Sequence, residues 1–499
     1  MIVSTPRTGA PLGQYLTDIP VLLVPLVLLF LCTLQFTDGH FTYTLDDPYI
    51  HLALAKNIWL GHYGINPTEA SAPSSSILWP FLLVPAAALG NWFEYVPLLY
   101  NCVFLVLTGL VLLATFSHLG KLRSLTLTLV LLLSLNCYGL VFNGLEHSLQ
   151  ILLVAFITYA MLNPELIRQR AHLSNLFYAS LVLLPLVRYE GLAISVPVLA
   201  YCFAQGEKKQ AEISTVFLLL LLGSFSFFLN QKQLGLLPSS VVAKLSDGSS
   251  PSVWKNLLRN LTFYGLILIP VGLICRKLYG TNRSFVLMLA SVTLLHFLFG
   301  KFGWFGRYEV YYVIFVMIIG LHLLTQHNHK RWRVVWLLPI LFITLLFCTL
   351  YVPRAAANIH YQHGQMAEIA KQLDGSVAVN DLGMVTLRSG RYVLDLWGLG
   401  SIEALNSRLN SSDEDARWID RLMTSRNVHY AMIYEGWIKA RPANWIKVGE
   451  LKLMQKRITP AFDTVSFYAD TEAAAEKFRA ILQQHARRGS SDTFRVDVP

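Results

Sequence analysis

Charge is what this sequence has little of. Only 14% of its 499 residues are Asp, Glu, Lys or Arg, against 54% hydrophobic. Soluble domains carry roughly 25% charged residues, so the scarcity excludes an ordinary soluble chain. Cysteine is scarce too. Cys32, Cys102, Cys137, Cys202, Cys275 and Cys348 are all there is, and each lies in an apolar run. That placement excludes a disulfide framework and a thiolate metal site, and leaves six small buried hydrophobes. No repeat of fixed period is present, which argues against solenoids and against transporters built on inverted repeats. The first apolar run is not followed by a small-residue cleavage site, so it is expected to stay as a helix.

What is there is apolar length. Mean hydropathy is +0.48 and the formal net charge is +10. Apolar runs of about 16–22 residues, separated by short polar breaks, read as transmembrane helices. Spans are expected at 20–36, 96–117, 124–142, 147–162, 174–188, 190–204, 213–229, 258–275, 284–299, 308–325 and 333–351. The fold class is thus a polytopic α-helical membrane protein of about 11 spans. Basic breaks follow every second span: Lys121 to Arg123, Arg168 to Arg170, Glu207 to Lys209, Arg276 to Arg283, and Lys330 to Arg333. The positive-inside rule places them in the cytoplasm. Arg7 puts the N-terminus there, and eleven spans leave the C-terminus outside. The basic excess therefore belongs to short loops facing a bilayer, and no nucleic-acid partner is implied.

The stretch Ile77 to Gly90 is apolar but short, and Pro85 interrupts it. Counting it as a span reverses the basic loops, so it reads as a juxtamembrane or re-entrant helix on the outer face. The outer breaks hold acids, isolated cations, Gly and aromatics. From residue 352 onward, charge density becomes ordinary. Short β-rich runs appear at Ser376 to Asp381, Arg391 to Leu396 and His429 to Tyr434. Two domains are expected: a membrane domain over 1–351 and a small exterior α/β domain over 352–499 with a frayed end.

One acidic pair stands out. Asp46 and Asp47 in "TLDDPYIHLALAKN" follow the first span. With Asp47 as N-cap, Pro48 at the first helical position and Gly61 as terminator, the run reads as a short helix lying in the membrane interface. Capping accounts for Asp47. Asp46 has no such structural duty, and a carboxylate free at the outer end of a span suits a general base. His51, one turn beyond Asp47, suggests an Asp/His metal pair, although a solvated imidazole explains it as well.

These words resemble the GT-C superfamily of integral membrane glycosyltransferases, and within it the arabinofuranosyltransferases of the AftB type and their bacterial relatives. "LDDPYIHLALAKNI" with "GHYGINP" is similar to that family's first exterior loop, and "EASAPSSSILWP" to the Ser/Pro-Leu-Trp segment that follows. "NGLEHSLQ", "RYEG", "LGLLPSSVVAK", "FGRYEVYY" and "VNDLGMVTLRSGRYVLDLWGLGS" resemble later family segments in the same order. Tyr189 stands where relatives often carry Pro, and Ser239 or Ser240 where Asn is common. The resemblance implies transfer of a sugar, arabinofuranose among the options, from a polyprenyl-phosphate donor to an acceptor hydroxyl, with inversion. The acceptor is a glycan, a lipid-linked glycan or a pilin-like protein. The setting is the outer face of a bacterial cytoplasmic (inner) membrane.

Asp46 and Asp47 are then the catalytic pair. The departing phosphate needs cations aimed at its oxygens, and Lys244, Arg307 and Arg188 are the candidates. Glu146, Glu190, His51, Tyr308 and Trp304 are substrate-binding candidates. Helix capping, snorkelling and the aromatic belt explain several of these residues equally well. Asp381 and Asp395 are candidates for acceptor contact, or for ordinary turns at strand ends. No cofactor is required, and a divalent metal is compatible. The alternative function is a transporter or flippase of lipid-linked sugars, which gathers its charges near mid-membrane. A non-catalytic exterior scaffold is the third reading, and it has no need of charges gathered at one leaflet.

Overall fold

The computed structural model describes residues 12–246, 253–326, 328–412, 414–489 and 492–498. Arg7 lies outside the described residues. The chain divides into two compact units. The first comprises Met1–Leu29, Leu98–Ser224 and Ser250–Leu350, and the second comprises Phe30–Pro97, Phe225–Ser249 and Tyr351–Pro499.

Among its described residues, the regular elements of the first unit are all helices. Its centre is the Val310–Gln326 helix, buried at almost every position and packed against His147–Leu162. The Leu192–Ala204 helix packs on Arg283–Phe299. Among the described residues, four helices are long and apolar enough to cross a bilayer: Tyr15–Phe36, Leu78–Thr115, Lys208–Gln231 and Val253–Leu278. His329–Leu341 with Ile343–Leu350 makes a fifth if that pair, bent by 69°, is one span. Five further apolar helices are shorter. The expected count of eleven is not reached among these long helices, because five of the expected spans form apolar helices of 17 residues or fewer and two, at 124–142 and 333–351, are broken. The run expected at 124–142 divides into Lys121–Ser134 and Cys137–Phe142. Asn136 sits between them at φ 58°, a conformation Asn tolerates. Its amide is satisfied there: Nδ2 donates to the Phe305 carbonyl at 2.8 Å, and Thr349 donates to Oδ1 at 3.0 Å. Outward apolar side chains such as Leu28, Leu31, Leu219 and Leu220 are exposed. Lipid contact accounts for them.

The second unit carries a six-stranded sheet: β1 (Ser376–Val379), β2 (Val393–Asp395), β3 (Val428–Ile433), β4 (Ile446–Leu453), β5 (Thr464–Ala469) and β6 (Phe494–Asp497). Its order is β2-β1-β3-β5-β4-β6. β1 pairs parallel with β2 and β3, and the remaining pairs are antiparallel. The Glu472–Gly489 helix buries Phe478 and Leu482, each worth about 1.5–3 kcal/mol of burial. The expectation of a frayed end is corrected at β6, where alternating Phe494 and Val496 are buried and pair with Leu453 and Leu451.

Asp47–Trp59 packs as a core helix of this unit. Pro48 to Ala55 and Asn57 are all buried. Their mixed polarity resembles a half-wet helix, but the polar side chains find internal partners. Asn57 Nδ2 donates to the Gly64 carbonyl at 2.8 Å, and His51 Nδ1 lies 3.2 Å from Ser74 Oγ. Gly61, at φ 87°, ends the helix as its sequence position predicts. Ile77 to Gly90 forms a six-residue helix, Leu78–Leu83, then tight turns kinked at Gly90.

Candidate active site

The acidic pair opens the Asp47–Trp59 helix. The helix begins at Asp47, so Asp46 occupies the N-cap position, and its side chain makes no capping bond. The expected register moves by one residue, and the expectation of an unengaged Asp46 is corrected. Its Oδ1 accepts from the Met384 N–H at 2.8 Å, and its Oδ2 accepts from the Gly383 N–H. Those two amides open the Gly383–Arg388 helix, where unpaired N–H groups and the local dipole favour an anion. Asp46 is 6% exposed, whereas Asp47 is half-buried.

Two more side chains complete the group. His363 lies in a single π-helical turn, His360–Gly364, inside an otherwise α-helical run. Such turns are rare and concentrate at functional positions. His363 Nε2 is 3.0 Å from Asp381 Oδ2 and 3.3 Å from the Tyr434 hydroxyl. Tyr434 in turn donates to Gln362 Oε1 at 2.6 Å. Asp381 lies two residues after β1 and keeps 21% of its side chain exposed. One donor atom from each of Asp46, His363 and Asp381 falls within 4.8 Å of the others. Burial raises the Asp46 pKa, against the opposing pull of His363 and the two amides. Burial also works to lower the His363 pKa, but Asp46 and Asp381 outweigh it and hold the imidazole in its charged form. A buried imidazole between two carboxylates, one of them solvent-facing, is also a donor set that suits a divalent cation. His51 is not in this group, since its ring is turned to Ser74.

A cavity of about 390 Å³ lies in the same unit. Its walls include Tyr43, Tyr49, Glu94, His360, Glu368 and Arg388. Arg388 grips Glu94 with both arms, Nε to Oε1 at 3.1 Å and Nη2 to Oε2, and lies 5.5 Å from the Tyr49 ring centre. Polar and aromatic walls of this kind suit a polyol. Lys244, in the Ser239–Ser246 helix, sends Nζ to Ser75 Oγ at 2.6 Å, and Ser75 donates to Ser240 at 3.2 Å. Asp395 takes the turn-making alternative. Its oxygens accept from the Trp397 and Gly400 N–H groups at 2.8 and 2.7 Å.

The first unit gathers the other predicted residues. Arg188, 3% exposed, bridges Glu146 at 2.7 Å and Glu190 at 2.9 Å. Glu146 occupies the N-cap position of the His147–Leu162 helix without capping it. The capping account fails there because the buried guanidinium takes the carboxylate. One cation against two carboxylates leaves Arg188 little spare charge for a phosphate. Tyr308 joins both arginines. Its ring centre is 5.6 Å from Arg188 and 5.0 Å from Arg307, and its hydroxyl accepts from Arg307 at 3.1 Å. Trp304 stands apart, half exposed at φ 50°. Glu309, buried and accepting from the Gly303 N–H at 2.9 Å, was not singled out by sequence. Neither were His363, Tyr434, Glu94 or Arg388. For His363 the sequence holds only a weak signal, a histidine on an amphipathic run just before the first β-rich segment.

A family model described as "Domain of unknown function (DUF8728)" matches residues 354–468. No curated protein sequence matches the chain. Among solved structures, the chain is similar to ArnT from Cupriavidus metallidurans in the apo state. Identity is 11%, coverage is 93% of this chain and 99% of that one, and the TM-score is 0.51. ArnT from the same organism bound to undecaprenyl phosphate gives 12% identity, 93% and 99% coverage and a TM-score of 0.49. The oligosaccharyltransferase AglB from Archaeoglobus fulgidus, with an inhibitory peptide and a dolichol-phosphate, gives 10%, 93% and 75%, and 0.47. The match to apo ArnT runs over nearly the whole of both chains, and what it establishes is the fold: this chain is folded like ArnT.

Proposed function

We propose that this protein transfers a sugar from a polyprenyl-phosphate donor to an acceptor hydroxyl at the outer face of a bacterial cytoplasmic membrane. The N-terminus lies in the cytoplasm and residues 352–499 outside. The observation that carries the reading is the locked acidic pair. In a chain with this fold, the first member of the acidic pair, Asp46, is clamped by the Gly383–Arg388 helix, which fixes its neighbour's position. Proximity and orientation of this kind can supply a large share of a transfer barrier.

In this reading Asp47, the half-buried member of the pair, takes the proton of the acceptor hydroxyl. The freed oxygen attacks the anomeric carbon. The bond from that carbon to the phosphate oxygen breaks, its electron pair stays on the phosphate, and polyprenyl phosphate departs. Asp46 holds the pair in place. Lys244, in the same unit as the acidic pair, answers the growing phosphate charge; Arg307 remains a further candidate cation. Arg188 orders Glu146, Glu190 and Tyr308 rather than meeting the phosphate itself. Arabinofuranose is the sugar suggested by the sequence resemblance, and inversion is the stereochemistry.

The test is incubation of purified protein with polyprenyl-phosphate sugar and acceptor, scored for release of polyprenyl phosphate. Asp47→Asn should lose about 10²-fold or more in kcat with an unchanged melting profile. Asp46→Asn should lose both activity and stability. Full activity in Asp47→Asn would remove it as the base, and movement of intact donor without release would favour a flippase.

A further inference from the structure

Asp46, His363 and Asp381 come from two segments more than three hundred positions apart and meet in one buried cluster. We infer that these three side chains form a binding site for one divalent transition-metal ion, Mn²⁺ or Zn²⁺, with Asp46 as a ligand. The inference stands on the geometry of the cluster and not on the glycosyl-transfer reading.

Four observations carry it. The first is composition: one imidazole and two carboxylates are borderline and hard donors that suit Mn²⁺ and Zn²⁺ better than softer metals. Spacing is the second. Metal bonds of about 2.0–2.2 Å to nitrogen and oxygen set neighbouring ligand atoms about 3 Å apart, and His363 Nε2 is 3.0 Å from Asp381 Oδ2. The third donor lies within 4.8 Å of both, so a cation needs to draw it in by no more than about 2 Å. Third, the outer shell is built. Each Asp46 oxygen accepts one backbone N–H and keeps a second lone pair, and ligating carboxylates are held in this way. Fourth, His363 is 1% exposed and turns its Nε2 toward Asp381. It is presented by a π-helical turn, a backbone irregularity that recurs at functional positions.

Charge points the same way. Two carboxylates face one imidazole, and Asp47 adds a third negative charge close enough to act on His363. Gathering three carboxylates around one imidazole in a mostly buried place is costly, and a divalent ion offsets that cost. The exposed fifth of Asp381 and the half-buried Asp47 leave a side open, through which an ion can enter and keep water ligands. Asp46 as ligand and Asp47 as proton acceptor then divide the work of the pair.

The test uses full-length protein in detergent, stripped with EDTA and re-equilibrated separately with Mn²⁺, Zn²⁺ or Mg²⁺, with no donor or acceptor present. Bound metal is counted by mass spectrometry, and Mn²⁺ affinity is read from loss of the free-ion EPR signal. Wild type should retain about one Mn²⁺ or Zn²⁺ per chain. Asp381→Asn and His363→Ala should each weaken binding at least tenfold, while His429→Ala, at a separate surface pair with Asp470, should bind as wild type. Asp381 is partly exposed, so its variant tests the site even where His363→Ala fails to fold. Wild type that retains no more metal than Asp381→Asn overturns the site. Mg²⁺ held as tightly as Mn²⁺ overturns the transition-metal assignment. Because no turnover is measured, either result leaves the transferase reading to its own test.

Discussion

Gly383→Ala tests the clamp on the acidic pair directly. A Cβ built on Gly383 falls 2.1 Å from the Asp46 backbone oxygen and 2.8 Å from its Oδ2. The nearer atom belongs to the backbone, so the helix start must move away. That movement takes the Gly383 and Met384 amides off the carboxylate. Hydrogen bonds to a charged group contribute about 1.5–3 kcal/mol each, so losing the two costs about 3–6 kcal/mol. Alanine returns up to about 1 kcal/mol as the better helix former. A net loss near 3 kcal/mol lowers the melting temperature by about 6–12 °C for a unit of this size. Displacing the pair by about 1 Å should also cost about 10²-fold in transfer rate. The assay is a fluorescence melt in detergent beside polyprenyl-phosphate release. Gly375→Ala is the control, because its Cβ meets only the Tyr430 ring edge at 3.7 Å. A Gly383→Ala protein that melts and turns over like the Gly375→Ala control refutes the clamp.

Three further outcomes follow from the same geometry. Glu146→Ala strands Arg188 in a buried place with only the more exposed Glu190. A loss of about 3 kcal/mol is expected in a denaturation series, and an unchanged midpoint means the pair adds nothing. Lys244→Ala removes the charge held at Ser75. It should raise the donor KM at least tenfold while leaving the acceptor KM alone, and an unchanged donor KM takes Lys244 out of the phosphate contact. Arg388→Ala frees Glu94 and opens the cavity wall. If that polyol-suited cavity takes the acceptor, the variant should raise the acceptor KM, and a change confined to the donor KM places the acceptor elsewhere.

Much of the broad plan was legible because it depends on local chemistry. Low charge and long apolar runs report a membrane protein. The β-rich words after residue 352 lie where the sheet forms, and Gly61 ends its helix because only a left-handed turn fits there. The misreadings have physical causes. The run at 124–142 looks continuous because one Asn barely lowers its hydropathy, yet that Asn breaks the helix by pairing with distant partners. The Asp47–Trp59 helix reads as half-wet because His51 and Asn57 are polar, and its burial is invisible until Ser74 and Gly64 satisfy them. The last strand looks frayed because Arg, Asp and Ser surround it, while only Phe494 and Val496 need a partner.

The site divides along the same line. Sequence alone determined that two carboxylates follow the first apolar helix, since adjacency in the chain fixes adjacency in space. It also singled out Arg188, Glu146 and Glu190, because ionisable groups beside apolar runs are costly and therefore visible. Only the tertiary structure decided what each carboxylate faces. Asp46 meets amides 337 and 338 positions away, and His363 reaches it from a π-helical turn no periodicity announces. Arg188, read as a cation for phosphate, is committed to two glutamates. Pairing of buried charges depends on which chain segments meet, and that is settled by packing of the whole unit rather than by any stretch of sequence.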